Sequence, residues 1–216
     1  MMFPFRTPAD AERAAPAVRE HLHKHGLLGY PTETVYGLGC AAEARSLGKL
    51  AALKGRRAGK PFLLLVSGRA MAEHAGLVFT PAADAMAEAF WPGPLTLVLR
   101  GGEGRLPDGL RGPEGGFAVR HTSHRAVARL TEVLNQPLTS TSANRPGQAP
   151  AAGAEQLVEL FQTAYDSGEL LILDGGTLGN VPPSTIVDCT GPIPKLVREG
   201  ALPRAELRTR VGRLAP

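Results

Sequence analysis

GLLGYPTETVYGLG, residues Gly26–Gly39, reads as a buried strand that ends abruptly in a polar turn. Leu27, Leu28 and Tyr30 supply the apolar run, Pro31 stops it, and Thr32, Glu33, Thr34 and Tyr36 follow at once. Gly37 and Gly39 then permit a tight turn or a close backbone approach. Hydroxyls, a carboxylate and a phenol at the end of a core strand suit a small polar ligand, because loops held by a rigid sheet carry most binding sites. A merely structural strand end would need only the turn.

Outward from this stretch, helical and strand patterns alternate. Ala9–His25 has helical spacing through Val18 and Leu22 and ends in cations followed by Gly26. Further helices are predicted at Ser46–Lys54, Pro81–Phe90, Ser123–Leu134 and Gly153–Phe161. Strands are predicted at Phe62–Val66, Thr96–Leu99, Phe117–Arg120, Pro137–Thr141, Leu170–Leu173, Thr185–Asp188 and Lys195–Arg198. The last three strands follow one another with only turns between them. The pattern predicts one α/β domain on a twisted sheet with parallel and antiparallel parts, not a regular doubly wound fold. Gly101–Gly116, rich in Gly and Pro, is expected to be the most mobile loop, and the chain after Arg204 a basic helix or a partly disordered tail. The expected division is a catalytic domain over 1–200 and a basic tail over 201–216.

Composition narrows the class. The chain has 216 residues, 43% of them hydrophobic, which is enough for one sizeable core. No apolar run approaches the ~20 residues that span a bilayer, and MMFPFRTPAD at the amino terminus has no apolar signal segment. Cys40 and Cys189 match no metal or redox spacing, so they read as reduced thiols of a cytoplasmic protein. The net charge of +4 is local: residues 195–216 carry six bases and two acids, and the rest of the chain balances. Within that neutral body, residues 44–72 hold Arg45, Lys49, Lys54, Arg56, Arg57, Lys60 and Arg69 without an acid. A positive island in a neutral protein points to a local anion such as a nucleotide triphosphate; a solvated basic helix face is the plainer reading.

Several familiar motifs fail. Gly37-x-Gly39-x-x-Ala42 imitates a dinucleotide fingerprint but lacks the acidic residue expected ~20 positions later. Gly55-Arg-Arg-Ala-Gly59-Lys60-Pro61 is too short for a phosphate loop, and Pro61 stands where Ser or Thr would hold Mg²⁺. His21, His23 and His25 lack carboxylate or Cys partners and read as a basic helix end. Ser140 and Ser142 have no nucleophile elbow around them. What survives is a dispersed set of cations and small hydrogen-bonding groups: Lys54 and Arg56, Ser140-Thr-Ser142-Ala-Asn144, Ser184-Thr185 and Arg198. Guanidinium forks and ammonium groups suit phosphate oxygens, while hydroxyls and amides orient a ligand without adding charge.

PTETVYGLG, KGRxxxKP, WPGPLT, Val119-Arg120, STSAN, DGG followed by STIVD, and LVREG occur here in one order. In that order they resemble the YrdC-like family of threonylcarbamoyl-AMP synthases, in its short form. The resemblance runs from Gly26 to Gly200, about four-fifths of the chain. It implies a twisted mixed α/β sheet with a basic concave cleft, and an enzyme joining L-threonine, bicarbonate or CO₂, and ATP into threonylcarbamoyl-AMP, pyrophosphate and water. The product would serve N6-threonylcarbamoylation of adenosine 37 in tRNA. Carried over residue by residue, Thr34, Tyr36, Arg120, Ser140 and Ser184 would contact L-threonine. Arg56, Lys60, Ser142, Asn144 and Arg198 would contact ATP, which would arrive with Mg²⁺, and Lys54 and Arg56 would be the catalytic bases of the K-x-R signature. No protein-held metal is expected. Hand-over to a tRNA threonylcarbamoyl transferase complex, and contact with tRNA or other double-stranded RNA, would follow.

The chain departs from the family at three places. Arg57 stands where relatives often have Pro, Leu65 where some carry His, and His121-Thr122-Ser123-His124 replaces a Met/Pro-containing turn. These histidines read first as a helix start. Two other readings stay open: a double-stranded RNA-binding module, which the 5% aromatic content disfavours, and a paralogue acting on another carbamoyl-type substrate.

Overall fold

The computed structural model describes residues 1–55, 61–179 and 181–215. In chain order the elements are β1 (Met2–Pro4), α1 (Pro8–His23), β2 (Leu27–Tyr30), β3 (Gly37–Gly39), α2 (Ala44–Lys54), β4 (Leu63–Leu65), α3 (Arg69–His74) and β5 (Leu77–Val78). There follow α4 (Pro81–Phe90), β6 (Leu95–Gly101), β7 (Phe117–Arg120), α5 (Arg125–Leu134), β8 (Leu138–Ser142), α6 (Ala154–Leu160) and α7 (Gln162–Asp166). The chain closes with β9 (Leu170–Asp174), β10 (Thr185–Asp188), β11 (Lys195–Arg198) and α8 (Arg204–Arg208).

The strands form one mixed sheet in the order β1-β9-β2-β3-β8-β4-β7-β6-β10-β11, with β5 beside β6. β1, β9 and β2 run parallel, as do β4 with β7 and β6 with β10; the remaining pairs are antiparallel. The predicted mixed α/β architecture is therefore observed. β9 and β10 follow one another in sequence, yet they lie in opposite halves of the sheet.

Period-two alternation sorts the side chains into two cores. Leu27, Leu38, Leu64, Leu97, Val119, Leu170 and Ile172 face one side, where α2, α4 and α6 cover them. Leu28, Tyr30, Leu65, Leu138, Leu171 and Leu173 face the other, beneath α1 and α5. Those two helices are built for the task. Ala11, Ala14, Ala15, Val18 and Leu22 form one stripe of α1, and Ala126, Val127, Leu130 and Leu134 form one stripe of α5. Thr7 and Asp10 close a reciprocal capping box at the start of α1. The α1–α5 layer covers only part of its face. Across β7, β6 and β10, that face carries Thr96, Val98, Ala118, Arg120, Ser184 and Ile186, by the same alternation.

β3 is a strand where the sequence suggested a tight turn or a close backbone approach, and the close approach is what is found. Its glycines are required by proximity: a Cβ on Gly39 would sit 1.9 Å from the Thr139 carbonyl oxygen. α3, α7, β1 and β5 are short elements that the sequence pattern did not predict. The Gly101–Gly116 loop contains a single 3₁₀ turn at Asp108–Leu110 and buries Leu106 and Leu110. Beyond Gly200, Leu202, Leu207, Val211 and Leu214 join the main core. Ala215 then runs beside β11, accepting from Leu196 N–H and donating to the Pro194 carbonyl. Cys40 and Cys189 are free and buried, and burial pushes their thiols up to about 11 and about 12.

Candidate active site

The polar turn after β2 is organised by Thr32. Its hydroxyl donates to the Val35 carbonyl at 2.7 Å and accepts from the N–H groups of Thr34 and Val35, each at 3.2 Å. Because its one proton is committed, the Thr34 hydroxyl 3.0 Å away is the donor of that pair. Thr34 Oγ1 therefore turns its lone pairs toward the Arg120 guanidinium, 3.4 Å from Nη1 and 3.5 Å from Nη2.

Arg120 is buried at the end of β7 and held on two edges. Its Nε donates to the Gly93 carbonyl at 3.2 Å, and Nη2 pairs with Glu33 Oε1 at 2.6 Å. Gly93 N–H in turn donates to the His121 carbonyl, so the Trp91-Pro-Gly-Pro94 turn, with its cis Trp91–Pro92 bond, clasps the end of the strand. The second oxygen of Glu33 accepts from the Thr122 hydroxyl, and Oε1 also accepts from Ser123 N–H at 3.2 Å. Burial alone would raise the Glu33 pKa; Arg120 and the hydroxyl outweigh it and hold the carboxyl below its ordinary value. His124 starts α5 as its N-cap, accepting from Val127 N–H and stacking on Phe5. His121 lies edge-on to Trp91. Burial holds both imidazoles below their usual pKa. The helix-start reading of these histidines fits His124.

Ser184, just before β10, and Arg198 of β11 reach the same face as Arg120. The Ser184 hydroxyl lies 2.9 Å from that of Thr96, and Arg198 donates twice to the Ser184 carbonyl, at 3.2 and 2.7 Å. The pairing of β10 with β11 shifts register between Ile186 and Val187, so Arg198 stands opposite Ile186 and not on the core side with Leu196. Gly200 permits the close pass that follows, since a Cβ there would lie 2.0 Å from the Pro183 carbonyl oxygen. Arg198 is exposed, yet desolvation of its guanidinium, with a smaller contribution from Arg120, lowers its pKa. Two guanidiniums that repel one another on one face suit an anion placed between them.

The second cluster joins α2 to β8. Lys54, the last residue of α2, donates to the carbonyl of Ser142 at 2.7 Å, to the Asn144 side-chain oxygen at 2.8 Å, and to the Asn144 carbonyl. Ser142 Oγ donates to Asn144 Oδ1 at 2.6 Å. The spacing S-x-N thus brings hydroxyl, amide and ammonium together. Ser140 is buried on the same strand and side as Ser142, beside Gly37.

Of the residues singled out from sequence, Thr34, Arg120, Ser184 and Arg198 form one group, and Lys54, Ser142 and Asn144 another. Tyr36 belongs to neither hydrogen-bond network. Its buried hydroxyl donates to the Gly176 carbonyl and accepts from Gly175 N–H, pinning the turn after β9. Arg56 and Lys60 lie outside the described residues. Glu33, Gly93, Thr96 and Thr122 were given no role from sequence. Only the position of Glu33 inside the polar turn, and of Gly93 and Thr96 inside WPGPLT, hinted at one. Among the described residues no three His, Cys, Asp or Glu side chains come together to hold a metal ion.

The sequence model of the Sua5/YciO/YrdC family, described as telomere recombination, matches residues 20–200. The chain belongs to this family. A threonylcarbamoyl-AMP synthase of Thiobacillus denitrificans is 36% identical over 189 residues, which cover 87% of this chain and 97% of that protein. The Pyrococcus abyssi threonylcarbamoyl-AMP synthase is 33% identical over 87% of this chain, but the chain spans only 54% of its length. Among solved Sua5/YciO/YrdC structures, P. abyssi Sua5 complexed with L-threonine superposes with a TM-score of 0.84 at 32% identity, covering all of this chain and 63% of that one. Escherichia coli YciO gives 0.76 at 26% identity, covering 93% of this chain and 94% of its own.

Proposed function

We infer that this chain is a threonylcarbamoyl-AMP synthase, working in the cytoplasm and supplying the threonylcarbamoyl group for tRNA modification. The observation that carries the reading is the pair of polar clusters, one around Arg120 and one joining α2 to β8, in a chain that matches a threonylcarbamoyl-AMP synthase over 97% of that relative's length. In the first step the threonine amine attacks CO₂, or bicarbonate with loss of water, forming a C–N bond and an N-carboxylate. In the second a carboxylate oxygen attacks the α-phosphorus of ATP, and the bond to pyrophosphate breaks.

Arg120 holds the threonine carboxylate, Thr34, Ser140 and Ser184 orient the other polar groups of threonine, and Arg198 on the neighbouring strand takes the nucleotide. Tyr36 contributes by pinning the turn at Gly175 and Gly176 after β9. Lys54, Ser142 and Asn144 form a preorganised corner for the nucleotide, with Arg56 and Lys60 on the phosphates. The chain's task is positioning and charge stabilisation, without a covalent intermediate. Mg²⁺ neutralises phosphate charge when it arrives on ATP; the described residues offer no carboxylate cluster for a protein-held ion, and no step is assigned to one. The labile product passes to a threonylcarbamoyl transferase complex, and the bases of residues 195–216 offer the tRNA contact.

The test is direct. Purified protein with labelled bicarbonate, ATP and L-threonine is expected to release pyrophosphate and form a labelled adenylate, and to do so poorly with serine and not at all without an amino acid. Pyrophosphate release independent of threonine would overturn the assignment. Arg56→Ala is expected to abolish ATP-dependent product formation in a folded protein.

A further inference from the structure

Arg120 carries the only carboxylate contact its guanidinium makes among the described residues, and that carboxylate is tied elsewhere as well. Glu33 Oε1 meets Arg120 Nη2 at 2.6 Å and Ser123 N–H at 3.2 Å, while its other oxygen takes the Thr122 hydroxyl proton. Thr122 is itself fully buried and accepts from His124 N–H, the N-cap of α5. One side chain of the β2–β3 turn therefore joins three things: the guanidinium at the end of β7, the junction Thr122-Ser123, and the start of α5.

The donors of Arg120 divide accordingly. Nε is committed to the Gly93 carbonyl and Nη2 to Glu33, whereas Nη1 has only Thr34 Oγ1, at 3.4 Å, among the described residues. The Nη1 edge is left for an incoming carboxylate. Charge agrees with this division. Arg198 is hydrogen-bonded to neutral atoms of Ser184, so Arg120, Glu33 and Arg198 together keep one net positive charge, which favours an anionic group of the ligand. A free-swinging glutamate would instead compete with that carboxylate. Glu33 is not free to swing, because three donors hold it from two elements.

We propose that Glu33 is the positioning residue of the amino-acid subsite: anchored on Thr122 and Ser123, it fixes the Arg120 guanidinium so that its Nη1 edge faces the substrate carboxylate. This rests on the assignment of Arg120 to the threonine carboxylate made above. It gives the carboxylate of the opening polar turn a task distinct from ligand contact, and it gives the His-Thr-Ser-His segment, where this chain departs from its relatives, a reason for its hydroxyl at 122.

The experiment is steady-state pyrophosphate release by the full chain, titrating threonine and ATP separately, for wild type, Glu33→Gln, Thr122→Val and Arg120→Ala. Glu33→Gln keeps the shape and removes the charge. It is expected to raise the threonine KM by about tenfold or more, the worth of a charge-assisted hydrogen bond, with the ATP KM within about twofold. Thr122→Val is expected to move the threonine KM in the same direction by a smaller factor of about three, since it loosens the anchor without touching Arg120. A fold that was merely weakened would shift both KM values or neither. An unchanged threonine KM in Glu33→Gln, with a raised one in Arg120→Ala, overturns the proposal and leaves the Arg120 assignment standing. A lowered threonine KM in Glu33→Gln overturns it in favour of competition. An unchanged threonine KM in Arg120→Ala overturns the assignment and the proposal together. Should Glu33→Gln fail to fold by circular dichroism, Thr122→Val decides by the same split.

Discussion

One face of the sheet has two halves that obey the same alternation and end differently. Under α1 and α5 the inward positions are Leu28, Tyr30, Leu65 and Leu138. Across β7, β6 and β10 the equivalent positions are Ala118, Arg120, Thr96, Val98, Ser184 and Ile186. The first set is apolar and packs beneath helices; the second includes Arg120, Thr96 and Ser184, buried polar groups bonded to one another and to neighbouring turns. A strand pattern thus shows which positions share a face, and the helices decide which of those positions become core and which become site.

That contrast can be broken by substitution. The largest effect is expected from Arg120→Ala, which removes the proposed carboxylate holder and leaves Glu33 unpaired. Catalytic efficiency should fall by about a hundredfold or more and stability by about 3 kcal/mol, measured by pyrophosphate release and denaturant unfolding. Leu130→Ala, in the covered half, should cost about 2–4 kcal/mol of stability while both KM values stay as they are. Equal loss of threonine affinity there would mean that the two halves are not separable. Ser184→Ala should raise the threonine KM by about three- to tenfold with little change in midpoint. The smallest effect is expected at Thr7→Ala, about 1 kcal/mol of stability from the lost cap of α1, with kinetics unchanged.

Acid gives a further comparison. Glu33 titrates below its ordinary value, so it contributes stability that is fully present above that value and lost as pH falls through the lower one. The stability difference between wild type and Glu33→Gln should therefore shrink on acidification below the ordinary glutamate range. A difference that is flat with pH would show that the carboxylate charge does not matter to the fold.

Much of this was legible in the sequence. Eight strands and five helices were read within a few residues, because Leu170–Leu173 is an unbroken apolar run of strand length and Val18 and Leu22 stand one helical turn apart. The missed elements are short or poor in side chains. β3 is Gly-Leu-Gly and is held as a strand by β2 and β8 on either side, a tertiary condition that local pattern does not carry. The site was legible as residue types but not as groups. Arg198 faces the site through a register shift, and Tyr36, adjacent in sequence to the polar turn, spends its hydroxyl on Gly175 and Gly176. Glu33 was visible as a carboxylate, but its partners Arg120, Thr122 and Ser123 lie some ninety positions away.

The run of Ala215 beside β11 has a consequence for life at high concentration. An outermost strand with free N–H and C=O groups is a template on which another chain can stack. Here Leu196 N–H and the Pro194 carbonyl are already engaged by Ala215, while Val197 stays exposed on the surface. Removing Ala215 and Pro216 alone, which spares core Leu214, is therefore expected to leave the fold standing but uncover a sticky border, visible as concentration-dependent light scattering that the full chain does not show.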